Sequence, residues 1–272
     1  MEIKLICMDL DGTALGADKK TFSPRLIAAL EAAHRKGIAI APVTGRQYGL
    51  LPPAVQGHPV WEDLVVTCNG GQIFELGTGK RLFGLDIREK ALRQLLAISE
   101  RFGIPLEFSV DSRLHLTQSS YDAQLPQENL RFHVHTILAK SGVIVDSLEP
   151  LCCMPVEKAQ FPLIPKEIGT ELESALKNVA VSAVWASATS MEITHPDANK
   201  GAALTALCRL LGIAPEHTMA LGDSGNDEGM LRAAGLGVAM GNAPEFIKIA
   251  SDAVTETNEN DGAAIAIERF CL

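Results

Sequence analysis

No apolar run in this 272-residue chain is long enough to cross a bilayer. The longest, such as Val179 to Ala186, are short and interrupted, whereas a spanning helix needs about 20 predominantly apolar residues. The opening stretch MEIKLICMDLD carries acids where a secretory signal needs an unbroken apolar segment, so the expected compartment is the cytoplasm. Six cysteines (Cys7, Cys68, Cys152, Cys153, Cys208, Cys271) include no C-x-x-C pair, and no histidine stands at finger spacing from them. That excludes a zinc module and a disulfide framework, leaving reduced, mostly buried thiols. There is no basic block either. The chain has 24 Lys and Arg against 33 Asp and Glu, a net charge of −9, and nucleic-acid surfaces draw their affinity from clustered cations. Neither nucleic acid nor membrane is an expected partner. Internal repeats and low-complexity segments are also missing.

What is present is an alternation of strand and helix signals in a chain of 47% hydrophobic content, enough to bury a substantial core. KLICM is a short apolar run of the kind found in buried parallel strands. Ser23-Pro24 then marks a helix start, with a hydroxyl cap and proline in the first turn, and Gly37 closes that helix. Ile38 to Val43 reads as the second strand, a helix is expected after Arg46, and Leu64 to Cys68 reads as the third strand. This is the start of a doubly wound sheet.

After Asn69-Gly70-Gly71 the pattern changes. QIFE and KRLFG flank the turn LGTG as a hairpin. Beyond it we expect a helix over Ile87 to Phe102, paired short strands around Asp111-Ser112-Arg113, a helix over Lys166 to Asn178 and the strand AVSAVWAS. The alternation resumes with SMEITH, a helix from Lys200 to Leu211, the strand HTMALGD, a helix over Asn226 to Ala234, the strand LGVAM and a last helix near Asp261. The expected fold is therefore α/β: a Rossmann-like doubly wound parallel sheet core over residues 1–83 and 189–272, with an inserted α+β cap domain over 84–188.

Ligands of such sheets bind at the carboxyl ends of the strands, near the point where strand order reverses. Three polar clusters fall at such ends: Asp9-x-Asp11-Gly-Thr13, Thr44-Gly45-Arg46 and Gly222-Asp223-x-x-Asn226-Asp227. A fourth, Asn199-Lys200-Gly201, opens a helix. Each has a plain reading beside a chemical one. The Asp9 and Asp11 pair could be turn formers, but that does not explain Asp223. Three carboxylates converging from two strand ends repel one another unless a cation lies between them, and a hard divalent ion with oxygen ligands, Mg²⁺ above all, suits the site. Thr44 could cap a helix or hold a phosphate oxygen. Ser224 and Asp227 have the spacing of a capping box. Lys200 in the first turn of a helix opposes the positive end of the macrodipole, so an anion beside it is expected.

Taken in order, D-L-D-G-T (9–13), T-G-R (44–46), N-G-G (69–71), N-K-G (199–201), G-D-S-G-N-D (222–227) and N-E-N-D-G-A (258–263) resemble the haloacid dehalogenase-like superfamily along the whole chain. The insertion after the third strand is similar to the Cof-type subfamily with its type IIB cap. Ala14, Gly71 and Ala198-Asn199 depart from common family residues without removing a group that does chemistry.

The resemblance implies a Mg²⁺-dependent phosphatase acting on small phosphorylated metabolites, with sugar phosphates the usual range and nucleotides or phosphorylated cofactors also within it. Asp9 would be the nucleophile that carries an aspartyl-phosphate, and Asp11 the general acid and base. That division needs Asp11 protonated while Asp9 is ionised, which a metal bound to Asp9 and a more apolar setting for Asp11 could arrange. Metal ligands would be Asp9, Asp223 and the main-chain carbonyl of Asp11, with Asp227 also at the metal site, where it would orient Lys200 or a metal-bound water. Thr44, Gly45, Lys200 and Asn226 would bind the transferring phosphoryl group. The cap would read the leaving group, where Arg113, His115, His133 and His135 are candidates and none is assigned. His133 and His135 are expected on one face of a strand. Two rivals stay open: a phosphomutase or phosphotransferase using the same Asp9 phosphoenzyme, and a non-enzymatic phosphoreceiver.

Overall fold

The computed structural model describes residues 2–56, 60 and 64–272, and divides into two compact units. Residues up to 46, 51–83 and 199–272 form the first, and 47–50 with 84–198 form the second.

The first unit is built on a parallel sheet. Its strands are β1 (Leu5–Met8), β2 (Ala39–Pro42), β12 (Thr218–Gly222), β13 (Leu236–Ala239) and β14 (Ala253–Val254), in the order β14-β13-β12-β1-β2. β3 (Leu64–Thr67) continues beside β2 through a parallel bridge between Val43 and Val66 and turns into the hairpin of β4 (Gln72–Glu75) and β5 (Arg81–Gly84). Both faces of β1 are buried, which is why LICM is continuously apolar. Leu5 and Cys7 pack with Leu204, Leu207, Met230 and Leu231 from the helices Lys200–Leu211 and Glu228–Ala233. On the opposite side the helix Gly262–Cys271 brings Cys271 Sγ to 4.0 Å from Met219 Sδ. The chain runs outward from β1 to β2 and β3 and re-enters on the other side at β12, so strand order reverses between β1 and β12.

The first helix is Pro24–Arg35, and the Ser23 hydroxyl accepts from the amide of Leu26. Among the described residues no full helix follows Arg46. Short helical segments form at Tyr48–Leu50 and Pro53–Gln56, and the proline pair Pro52-Pro53 between them supplies no amide donors and prevents a continuous helix across it.

The second unit carries a six-stranded sheet of β6 (Glu107–Val110), β7 (Arg113–Thr117), β8 (Gly142–Val145), β9 (Val156–Phe161), β10 (Ser182–Ser187) and β11 (Ser190–Thr194), ordered β10-β11-β9-β6-β7-β8. The expected pair around Asp111-Ser112 is the β6–β7 hairpin, with both turn residues at positive φ (48° and 60°). One face of the sheet packs Phe108, Phe161, Met191 and Ile193 against Leu92, Leu95 and Leu172 of the helices Glu89–Phe102 and Gly169–Leu176.

Two expectations change here. The strand read from SMEITH does not rejoin the parallel sheet: β11 pairs antiparallel with both β10 and β9. Its alternation of buried Met191 and Ile193 with half-buried Glu192 suits a sheet covered on one face. His133 and His135 lie on a helical turn, His133–Leu138, not on a strand. Val134 and Leu138 are the buried positions of that turn, and they pack with Leu114, Leu116 and Leu130. A spacing of four residues, rather than two, sets its inward face.

Candidate active site

β12, β1 and β2 are parallel neighbours, in register at Leu221–Met8–Pro42, so the residues just beyond their ends share one edge of the sheet. Asp9 follows β1 directly, and its amide donates to Leu221 O at 3.0 Å. Its carboxylate is buried and accepts from Lys200 Nζ at 2.7 Å.

Lys200 opens its helix behind the Asn199 cap, whose Oδ1 accepts from the Ala202 amide at 2.7 Å. Its side chain is 1% exposed and also donates to Asp227 Oδ1 at 2.6 Å. A lysine turned to solvent is thereby excluded. The opposing helix dipole is met by two carboxylates of the protein itself. Burial disfavours the Lys200 ammonium, but Asp227 and Asp9 outweigh it and hold its pKa above the ordinary lysine value.

Asp227 is fully buried. Its Oδ2 accepts from the amides of Asp223 and Ser224, both at 3.0 Å, and from the Ser224 hydroxyl at 3.2 Å. This is the capping box expected from the spacing, and it leaves Oδ1 directed at Lys200. Asp223 begins the same loop, and its Oδ1 accepts from the Thr13 hydroxyl at 3.0 Å. Gly12 sits against it at φ 82°, where a Cβ would lie 2.5 Å from Asp223 Oδ2. Only glycine allows both the left-handed turn and that approach.

Ligand atoms of Asp9, Asp223 and Asp227 all lie within 4.8 Å of one another. Three carboxylates therefore share one ammonium. Burial, with Asp227 and Asp223 adding to it and Lys200 opposing it, pushes the Asp9 carboxyl up to about 8. Burial and Asp227 push Asp223 up to about 6. The excess negative charge and all-oxygen donor set make this a group that could hold a divalent cation.

Asp11 departs from expectation. Its carboxylate is not in an apolar setting but in a bidentate pair with Arg46: Nε donates to Oδ2 and a terminal nitrogen to Oδ1, both at 2.7 Å. Arg46 also donates to Lys19 O at 3.0 Å. The planar guanidinium fork matches both carboxylate oxygens, and fold closure brings together residues 35 apart in sequence. Within the T-G-R stretch nothing marks Arg46 as the partner of Asp11.

Thr44 is buried, and its hydroxyl accepts from the Arg46 amide at 3.1 Å, bracing the loop in the absence of a following helix. Gly45 lies against Asn69, whose Oδ1 would be 2.7 Å from any Cβ. That oxygen accepts from Asn226 Nδ2 at 2.9 Å, while Asn226 Oδ1 accepts from the Ser224 hydroxyl at 2.7 Å. Asn69, at φ 55°, thus joins the Thr44 loop to the Asn226 loop. Asparagine is the non-glycine residue that best tolerates this conformation, which is the signal the N-G-G stretch contained. Asn242 was also missed. Its Nδ2 donates to Gly12 O at 2.9 Å.

A model of the haloacid dehalogenase-like hydrolase family matches residues 6–267. The chain belongs to that family and is a hydrolase of its phosphatase type. It is 28% identical over 273 residues to 5-amino-6-(5-phospho-D-ribitylamino)uracil phosphatase YcsE of Bacillus subtilis (strain 168), covering 100% of this chain and 97% of that protein. Pyridoxal phosphate phosphatase YbhA of Escherichia coli (strain K12) is 28% identical, with 97% of each chain covered. Among solved structures, the HAD subclass IIB sugar phosphatase BT4131 superposes with a TM-score of 0.82 at 28% identity, covering 98% of each chain. Among the described residues, no helix is long and apolar enough to cross a membrane.

Proposed function

We propose that this enzyme is a Mg²⁺-dependent phosphatase of small phosphorylated metabolites, sugar phosphates first, working through an aspartyl-phosphate on Asp9. The observation that carries this reading is Asp9 itself: a carboxylate buried at a strand end, 2.7 Å from a buried lysine and grouped with two further carboxylates. An Asp9 oxygen attacks phosphorus, the bond from phosphorus to the leaving oxygen breaks, and Asp11 delivers a proton to the departing alkoxide. In the second step Asp11 takes a proton from water, which attacks the same phosphorus and releases inorganic phosphate with Asp9 regenerated. Freed from Arg46, Asp11 takes one proton from solvent before the first transfer, gives it to the alkoxide, and regains one from the attacking water in the second step, so each turnover ends with Asp11 protonated.

Asp9, Asp223, Asp227 and the Asp11 carbonyl would hold Mg²⁺, which when bound neutralises the approach of a carboxylate to a phosphate dianion. Lys200, Thr44, Gly45 and Asn226 would bind the transferring oxygens. Leaving-group choice is assigned to the inserted unit, because these core residues recognise only phosphate. The printed activities of the relatives span a ribitylaminouracil phosphate, pyridoxal phosphate and sugar phosphates, which supports a small phosphorylated metabolite as the substrate class.

The test is inorganic phosphate release from a panel of phosphomonoesters, with Mg²⁺ and with EDTA, by wild type and by Asp9→Asn. Cation-dependent release that disappears in the variant is expected. Release by Asp9→Asn at the wild-type rate would overturn the nucleophile assignment, little release without an added acceptor would favour a phosphotransferase, and a long-lived phospho-Asp9 in the wild type would favour a phosphoreceiver.

A further inference from the structure

We propose that Asn242 is a positioning residue for the cation site, holding Asp223 and the Asp9-to-Thr13 loop in the arrangement that receives the metal. The inference rests on the reading of Asp223 as a cation ligand. Asn242 lies three residues beyond β13 and is exposed, a position where a side-chain amide ordinarily points to water. Both ends of its amide are nevertheless engaged by other strand-end loops. Nδ2 donates to Gly12 O at 2.9 Å and lies 3.5 Å from Asp223 Oδ2, the outer limit of a hydrogen bond. Oδ1 accepts from the Asn258 amide at 3.0 Å. The orientation of the amide follows from its partners, since a carbonyl needs a donor and an N–H needs an acceptor.

The backbone behind Asn242 is hydrogen-bonded to neighbouring strand ends: the Met240 amide donates to Gly222 O at 3.0 Å and the Gly241 amide to Glu256 O at 2.9 Å. Asn242 therefore transmits the fixed geometry of the β12 and β13 ends to Gly12, the residue whose left-handed backbone brings Asp223 close. Asp223 is held from two sides, Oδ1 by the Thr13 hydroxyl and Oδ2 by the nearby Asn242 amide. Partners behind a ligating carboxylate fix its direction, and their loss typically weakens metal binding about 10- to 100-fold. An acceptor-only or apolar side chain at 242 would release the Gly12 carbonyl and leave one Asp223 oxygen unrestrained.

The experiment measures Mn²⁺ binding to the full-length protein by calorimetry, without substrate, for wild type, Asn242→Ala and Asn258→Ala. Thermal midpoints in EDTA check that each variant is folded. Asn242→Ala is expected to weaken Mn²⁺ at least about tenfold, and saturating Mg²⁺ should restore its phosphatase turnover with the substrate KM little changed. Asn258→Ala keeps the backbone amide that meets Asn242 and should bind Mn²⁺ as wild type does. Wild-type affinity in a folded Asn242→Ala protein would overturn the inference. So would an equal loss in Asn258→Ala, which would trace the effect to loosening of the loop. A wild-type protein that binds no Mn²⁺ would overturn the cation-site reading itself and the inference with it.

Discussion

Two carboxylate sites, one in each unit, are built on opposite principles. In the parallel-sheet unit, Asp9, Asp223 and Asp227 crowd within 4.8 Å around the single ammonium of Lys200. In the inserted unit, Glu107 is fully buried yet stands as the one carboxylate among neutral amides and a histidine. Gln124 Nε2 donates to it at 2.8 Å, Gln160 Nε2 bonds its other oxygen, and His133 Nε2 lies 3.1 Å and 3.2 Å from the two oxygens. A buried charge surrounded by donors is satisfied within the fold and ties elements together. A buried cluster with more negative than positive charge is not satisfied, and its remaining charge is available to a ligand. The comparison separates a structural carboxylate from a functional one without reference to motifs.

Four measurements would break or sharpen that contrast. The largest effect is on turnover. Asp9→Asn should lower kcat by at least about 10⁴-fold, the scale lost with a nucleophile, whereas Glu107→Gln should leave kcat within about threefold. Comparable losses in steady-state phosphate release would erase the distinction.

Next comes Lys200→Met, which removes the ammonium bonded to the buried carboxylates Asp9 and Asp227, beside the half-buried Asp223. Breaking a buried pair costs about 3–5 kcal/mol, so urea unfolding at neutral pH should show a loss of that size, recovering as acid protonates the carboxylates. An unchanged midpoint would mean that the cluster is solvated.

In the inserted unit Glu107→Ala strands the Gln124 and Gln160 donors and should cost about 2–4 kcal/mol. Glu107→Gln, which keeps an acceptor oxygen, should cost less. Equal losses from the two variants would show that size, not hydrogen bonding, is what the position requires.

The last effect is linkage. Asp9 at about 8 and Asp223 at about 6 bind protons more tightly in the folded protein than in the unfolded chain. Each therefore subtracts stability as pH rises from the ordinary carboxylate range through its folded value. Metal-free protein should lose thermal stability across that interval, and Mg²⁺ at about a hundred times its Kd should return about 2.7 kcal/mol. A metal-free midpoint that rises from pH 5 to pH 8 would contradict the charge imbalance.

Much of the framework could be read from residue order. The helix Lys200–Leu211 has the expected ends because Asn199 caps it and Gly212, at φ 66°, stops it. The strand LICM and the polar residues after it were legible because burial on both faces forces a continuous apolar run that must end before charge can appear. β11 was assigned to the wrong sheet, although Glu192 at its centre carried the period-two sign of a one-sided sheet. His133 was misplaced because alternation over three residues fits a strand and a helical turn equally well.

The chain's order of residues was sufficient to specify an α/β chain with an interruption after its third strand, and to mark Asp9, Thr44, Lys200 and Asp223 as strand-end or helix-start polar groups. Those properties depend on backbone propensity and on patterns within a few residues. The Asp11–Arg46 pair, the Asn69 link to Asn226, the two-carboxylate embrace of Lys200 and the Asn242 bridge join residues between 27 and 230 positions apart. Such contacts arise only when the strands have packed side by side, because a side chain's charge environment is the sum over whatever neighbours the fold brings within a few ångströms. Strand order, rather than spacing along the chain, thus settled which carboxylate is paired with arginine and which are left to share one lysine.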